Sequence, residues 1–562
     1  TEIYTLSLHD ALPILGLSNA AGLLGKCGFR ILTPSPPLER ALERLERVEN
    51  LEAVDSWIKR TRPDHLALSY RLDPNDGARV FRLLYRLLRE GAHLKEQGGS
   101  IRFVGFAGLP EACRLVESDH PGRIILFSGD ESPREGLGRF GVPPDLYPPT
   151  LVAESSYDKR LFALADRMIR SGDYEGIPPP RHDGYPEYGT RRDTLVKRLD
   201  RCKELGTGPV LRSHIGPYLD DRSEALRLYR EWVRRLAATG YLDVLSIGSS
   251  QLTQCAFEQD WTGRANGGGV PVRTREEYHE IYESSRPMLV RTYSGTVNVP
   301  VLARIHEESL NIAWHAFSFW WFNKLDGRGP NGLLENLVEH FQAASYAVST
   351  NKPVEANVPH HFAFRGCDDA TYVVSAYLAA KAMKRLGVRT FVLQNMLNTP
   401  RLTWGIQDIA KARALLGLLR TLEDGTFRLV YETRAGLSYF SADMEKAKRQ
   451  VAAVGMLMDE IEPDNPSSPD IIHVVGYSEA NFLADPSVVD ESIRITLHAL
   501  AGIREARRKG EIPDSRGYEE IGERADSLRE EASMLIAAME RRIPDLYTPN
   551  GFWRVFAEGW LP

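Results

Sequence analysis

From residue 208 onward the chain repeats one pattern eight times: a short run rich in β-branched, leucine and aromatic residues, then a longer stretch with apolar residues at helical spacing. The runs are 210–215, 244–248, 288–293, 311–319, 354–358, 390–394, 428–432 and 471–475. Strands that alternate with helices pair in parallel, because a parallel neighbour needs a crossover long enough to hold a helix. Eight such units over about 270 residues predict a (β/α)8 barrel, the TIM-barrel fold. Polar side chains crowd the ends of the runs: Arg212 and His214, residues 249–254 and 291–294, His360, His361 and Arg365, Gln394 and Asn395, Glu432 and Arg434, and Ser478 and Glu479. Barrel sites are built at that carboxyl-terminal face. Taken singly, each of these residues reads equally well as satisfying a loop hydrogen bond; as a set they locate the predicted site.

Upstream, residues 15–142 alternate apolar runs with amphipathic helical stretches, which predicts an α/β domain on a parallel sheet with strands at 29–32, 65–70, 101–106 and 124–128. Pro and Gly accumulate at 142–149 and 176–189 and mark connections. The expected organisation is a first domain over 15–150, a linker or wrapping segment over 151–207, the barrel over 208–500 and a helical extension over 501–562. In that extension Ile521, Ala525, Leu528, Ala532, Leu535 and Met539 recur at spacings of three and four opposite a Glu/Arg face, a packing stripe. Residues 2–14, EIYTLSLHDALPI, resemble the in-frame translation of a short sequencing adapter joined to a gene fragment. On that reading residues 1–14 are an artefactual N-terminus outside the fold, His9 and Asp10 carry no function, and the authentic chain starts near Leu15.

With 70 basic and 76 acidic side chains the net charge is −6, which argues against a nucleic-acid partner. The longest strongly apolar stretch, 311–322, is interrupted by His315 and Ser318 and falls short of the roughly 20 residues a membrane span needs, so no membrane helix is expected. Five cysteines without CxxC spacing point to reduced thiols in a cytoplasmic protein. The segment GLSNAAGLLGK at 16–26 is not a phosphate loop, because Ala20 and Cys27 stand where glycine and Ser or Thr are required. His360 and His361 cannot point to one side of an extended strand, which argues against a zinc site. The NGGG segment at 266–269 offers backbone that a ligand can approach closely, or a plain turn. The run WHAFSFWWF at 314–322 reads either as a wall over a planar cofactor or, more commonly, as barrel core.

These parts together resemble the adenosylcobalamin-dependent carbon-skeleton mutases, and most closely glutamate (methylaspartate) mutase, with its small and large subunits fused. The resemblance covers nearly the whole chain after residue 14 and implies a flavodoxin-like, Rossmann-type corrinoid-binding domain before the barrel. In that family an Asp-x-His-x-x-Gly motif follows the first strand, and its His is the lower cobalt ligand. Setting Gly28 and Phe29 against the family's Gly-Phe puts Gly16 on the final glycine and Ala11 and Pro13 on the Asp and His, so the resemblance implies that the cobalt-ligating His is lost, its place taken by Pro13. The family's Ser-x-Leu is matched by Ser69, with the leucine displaced to Leu72 by Arg71; its Gly-Gly is matched by Gly105, with Phe106 second. Ser128 and Gly129 continue the implied cofactor rim, where small residues beyond parallel strands leave room for a nucleotide-like tail.

In the barrel the family grips its dicarboxylate with three arginines. Arg212 in LRSH and Arg291 in MLVRTYSG match two of them, and the third falls on Gln254. Ser318 stands on the family's ammonium-binding glutamate, and Lys324 and Arg328 on two tyrosines, which implies a substrate other than glutamate. Asn266 and Glu479 match residues that contact the cofactor. The resemblance thus implies an isomerase: adenosylcobalamin, a cobalt corrinoid, supplies the radical, and the barrel holds a small carboxylate substrate. Expected partners are that substrate and neither nucleic acid nor membrane, with a homodimer left open. Two other readings stand beside it: a corrinoid carrier, methyltransferase component or sensor, and a cobalamin-independent barrel lyase, for which Lys324 is the candidate Schiff-base lysine.

Overall fold

The apolar runs of the second half become eight strands: β6 Val210–Ile215, β7 Val244–Ile247, β8 Leu289–Thr292, β9 His315–Phe317, β10 Val354–Ala356, β11 Thr390–Leu397, β12 Arg428–Ala435 and β13 Ile471–Val474. They pair in parallel in the order β8-β7-β6-β13-β12-β11-β10-β9. The two ends of that sheet meet where Ala313 N–H donates to Val290 O at 2.8 Å, which nearly closes the ring. A barrel of eight parallel strands, as the repeat predicts, is therefore present. The computed structural model describes residues 2–561 apart from 8–19, 33, 71–72, 130, 149–154, 183, 217–218, 265, 267, 400–402, 481 and 513. It divides into residues 1–155 with 441–446, and residues 156–440 with 447–562.

The strand period of two sorts the barrel interior into layers. Val210, Val244, Leu289, Val392, Val430 and Ile471 form an apolar layer with Ala313 and Trp314. Helix Leu195–Leu205 inserts Leu195 and Leu199 into that layer and closes the amino-terminal end of the barrel. The expected linker 151–207 thus contributes core to the barrel unit, and it also holds helix Ser156–Ser171. The cause is burial: helix Leu195–Leu205 carries its apolar residues on one face, and the open barrel end is the apolar surface that covers them. Arg198 of this helix is 1% exposed and is held by Asp193 Oδ2 at 2.6 Å and Asp243 Oδ1 at 3.3 Å, a buried charge with both partners in place.

The last crossover helix, Pro486–Arg508, runs past residue 500, so the helical extension begins after Arg508. In helix Glu519–Arg542 the stripe Ile521, Ala525, Leu528, Ala532 and Met539 is buried against helices Asp369–Leu386 and Gly405–Leu419, with Ile536 rather than Leu535 completing it. The aromatic run after β9 is core: Trp320 stacks on Phe552 of helix Pro549–Ala557 with ring centres 4.3 Å apart, and its Nε1 donates to Phe552 O at 2.8 Å.

In the first unit five parallel strands, β1 Glu2–Ser7, β2 Arg30–Leu32, β3 His65–Tyr70, β4 Phe103–Gly108 and β5 Ile125–Phe127, take the order β2-β1-β3-β4-β5. This is the flavodoxin-type order. The strand between β2 and β3, β1, comes from the segment expected to lie outside the fold, so that expectation is corrected for residues 2–7. Without them β2 and β3 would flank a gap of unpaired backbone N–H and C=O groups, and IYTL, with its β-branched and aromatic residues, suits a strand that fills it. Pro13 and Gly16 lie outside the described residues.

Candidate functional site

One step along each strand from the apolar layer, the same inward positions turn polar: Arg212 follows Val210, Ser246 follows Val244, Arg291 follows Leu289, Gln394 follows Val392, Glu432 follows Val430 and His473 follows Ile471. All are buried, and Glu355 of β10 joins them at 0% exposure. A barrel layer at this level is ordinarily apolar, and charge is retained there only when paired. Glu355 Oε2 accepts from Arg291 Nε at 3.2 Å and Nη2 at 2.8 Å and from Trp314 Nε1 at 2.5 Å. Its Oε1 accepts from Gln394 Nε2 at 2.9 Å, and Asn357 satisfies Glu355 Oε1 and Arg291 Nη2 together in one of its two amide orientations. Arg212 donates through Nε to Ser246 Oγ at 2.6 Å and through Nη1 to Glu432 Oε1, which also accepts from Gln394 at 3.0 Å. Three atoms of this layer are buried without a hydrogen-bond partner among the described residues: Arg291 Nη1, Glu432 Oε2 and His473 Nδ1.

The two carboxylates differ in kind. Burial raises the Glu355 carboxyl, but Arg291 and Arg212 beside it and the Trp314 hydrogen bond outweigh burial and hold it below the usual range. Burial pushes Glu432 up to about 7, Arg212 opposing and ionised Glu355 adding to the rise. Toward the carboxyl ends of the strands lie His214, whose ring centre is 4.9 Å from that of His473, and the adjacent His360 and His361. Burial holds all four imidazoles well below their ordinary pKa, and the charge of Arg434 adds to the effect at each. They are therefore neutral near pH 7. His360 and His361 sit on the helical turn Pro359–Ala363 rather than on an extended strand, because β10 ends at Ala356. Among the described residues no group of three or more His, Cys, Asp or Glu side chains is placed to hold a metal ion.

Of the residues singled out from the sequence, Arg212 and Arg291 come together in this layer. Gln254 does not join them: its Nε2 donates to Ser249 O at 2.9 Å, within its own loop. Ser318 Oγ donates to Trp321 O at 3.0 Å and lies 3.5 Å from His340 Nε2 of helix Leu333–Ser349. Lys324 is exposed. Arg328 lies over the Phe322 ring at 5.1 Å, and Phe322 in turn packs against His361 at 4.8 Å, which puts Arg328 at the mouth. Asn266 Nδ2 donates to Asp220 O at 2.9 Å and ties together the loops after β7 and β6. Glu479, half-buried, accepts from Gly476 N–H at 2.7 Å, and burial pushes its carboxyl up to about 7 against that bond and Arg434. Glu355, Trp314 and Asn357 were missing from the predicted site. The signal was a charge inside an otherwise apolar run, VEANV at 354–358.

The cofactor positions of the small unit do not assemble one cradle. Gly105 lies inside β4, paired with Ala67 and Ile125, so it is sheet interior and not a residue beyond the strand; Phe106 beside it is 0% exposed in the core. Ser69, also buried, is the penultimate residue of β3, and Leu72 lies outside the described residues. Beyond β5 the Ser128 and Gly129 amides donate to the two oxygens of Glu131 at 3.0 and 2.9 Å, and Arg139 Nη1 holds the same carboxylate at 2.6 Å. That rim already carries an anion of the chain's own, so this donor set does not fit the corrinoid as the resemblance implies it.

Comparison of the chain with models of known protein families, and with curated proteins, returned no match.

Proposed function

We propose that the chain is an enzyme whose barrel interior grips the carboxylate of a small substrate, and that its reaction is an isomerisation of the carbon-skeleton mutase type. The observation that carries the first part is Arg291 Nη1: a guanidinium nitrogen, wholly buried and without a partner, in a layer that also holds Arg212. Leaving such a donor unsatisfied costs free energy that a ligand carboxylate recovers, and the planar guanidinium orients that carboxylate. The neutral histidines above it add hydrogen-bonding groups without adding charge.

The reaction type rests on the resemblance, which names adenosylcobalamin as the radical source. The flavodoxin-type strand order and the eight-stranded barrel support that combination as architecture. The small unit's own residues do not fit the corrinoid, so no step is carried through it. A substrate without an amino group is supported by Ser318 and Lys324, neither of which joins the buried layer. One observation favours a second reading, the cobalamin-independent lyase: the Glu131 carboxylate at the β5 rim. That lyase would not use Lys324 as a buried Schiff-base lysine, since Lys324 is exposed.

Calorimetric titration with succinate, and visible-absorption titration with adenosylcobalamin, test both parts. Succinate binding that weakens roughly ten- to hundredfold in Arg291→Met, the loss of about 1.5–3 kcal/mol expected for a hydrogen bond to a charged group, supports the carboxylate site. Unchanged binding in a folded Arg291→Met protein sinks it. Corrinoid uptake with isomerised product supports the mutase, and carboxylate turnover with no corrinoid bound favours the lyase.

A further inference from the structure

The charged layer contains two guanidinium groups and two carboxyl groups, Arg212, Arg291, Glu355 and Glu432. With both carboxyls ionised the four charges cancel, and a ligand carboxylate would enter as an uncompensated buried charge, which is strongly unfavourable. With one carboxyl protonated the layer is left one positive charge in excess, the charge a carboxylate ligand neutralises. The hydrogen bonds show where that proton goes. Glu355 is saturated: Oε2 accepts from Arg291 and Trp314, and Oε1 from Gln394. Glu432 is lopsided: Oε1 takes both Arg212 and Gln394, while Oε2 is buried and bare.

Resting on the carboxylate reading above, we propose that binding of a carboxylate anion in the barrel takes up one proton from solvent, and that this proton sits on Oε2 of Glu432. The binding step balances as ionised site plus carboxylate anion plus one proton giving the neutralised complex, and the proton returns to solvent when the ligand leaves. The groups facing Glu432 are Arg212 from β6, Arg291 from β8, Glu355 from β10, Gln394 from β11 and His473 from β13. Of these, His473 also has a vacant buried nitrogen that could take up a proton, and this Nδ1 lies 3.8 Å from Glu432 Oε1. Burial and the nearby arginines keep it neutral, which leaves Glu432 as the group that titrates near neutrality.

Succinate titrations of the full chain, run in buffers of differing ionisation enthalpy, measure the protons taken up. Expected is uptake close to one proton at about pH 8.5 and close to none at about pH 6, with affinity falling roughly tenfold per pH unit above about 7. Glu432→Gln, a stand-in for the protonated acid, is expected to bind at the higher pH with no uptake. Wild-type binding without uptake at pH 8.5 overturns the proposal, as does uptake that persists in Glu432→Gln. A ligand-free arm needs no substrate: difference infrared spectra show a protonated-carboxyl band that titrates near neutrality, and the part of it that vanishes in Glu432→Gln belongs to this residue. No such part overturns the proton assignment. If succinate does not bind at all, the carboxylate reading falls and the coupling with it, and the ligand-free band distinguishes that failure from a misplaced proton.

Discussion

Arg212 and Arg291 could be read from the sequence because a guanidinium inside a β-rich run has few places to go other than a barrel interior. Glu355 was missed for the converse reason. Its strand is three residues long, too short for the alternation to stand out, whereas the period of two places it inward opposite Arg291. Lys324 and Arg328 show the limit of comparing positions one by one, since where a loop residue points depends on the loop's own hydrogen bonds. In their loop Asp326 accepts from the Phe322 and Asn323 amides, both at 3.0 Å, and from Arg365 Nη2 at 2.8 Å. Gly269 carries a prediction at this scale. Its φ is +96°, and a Cβ there would overlap the carbonyl oxygen of Gly248, which accepts the Val270 N–H at 2.8 Å. Gly269→Ala is expected to lower stability by about 1–3 kcal/mol for the backbone alone, read as a shift of the denaturant midpoint. A midpoint equal to wild type would show that this close approach is not required.

At the scale of elements, every barrel strand was legible, because alternation with helices is a pattern no single residue can spoil. The small sheet was legible except for the strand between β2 and β3, where the likeness of residues 2–14 to adapter sequence removed a segment whose composition alone would have marked it a strand. The role of helix Pro549–Ala557 could not be read, since what it covers lies more than 200 residues away in the chain: Phe552 is 0% exposed among Phe319, Trp320 and Phe341. Phe552→Ala is expected to cost about 3–5 kcal/mol and to loosen the loop that follows β9. Thermal unfolding measures the first effect, and a loss under about 1 kcal/mol would mean that this helix is not part of the barrel's core.

Across the molecule, pH response follows from how many histidines are buried uncharged. Burial takes His306 and His315 down to about 3 and His340 to about 4, and His214, His360, His361 and His473 are also held well below the ordinary value of 6.5. A group depressed in the folded state stabilises fully above its unfolded pKa, so this contribution is lost as pH falls below 6.5 toward the folded values. Glu432 and Glu479, raised to about 7, and Asp408 and Asp490, raised to about 6, act in the opposite sense: their contribution is complete below the ordinary carboxyl range and is lost as pH rises through those values. The histidines outnumber the carboxyls. Denaturant midpoints are expected to fall between about pH 6.5 and 4, with net proton uptake on unfolding, and His315→Gln should make the slope shallower. A midpoint that holds steady or rises on acidification would contradict the buried neutral histidines.

The near-closure of the ring has a further consequence. Seven strand boundaries are ladders, whereas the eighth, between β8 and β9, is bridged by the Ala313–Val290 hydrogen bond. In kinetic terms such a ring is a curled ribbon fastened at one point, and opening that fastening exposes backbone without unfolding either side. Native-state hydrogen exchange should find the amides flanking this junction, near 289–292 and 313–317, exchanging sooner than those between β11 and β12. The barrel then has a preferred parting line, at which β8 and β9 become the two edges of one eight-stranded ribbon while β6 stays paired with β13.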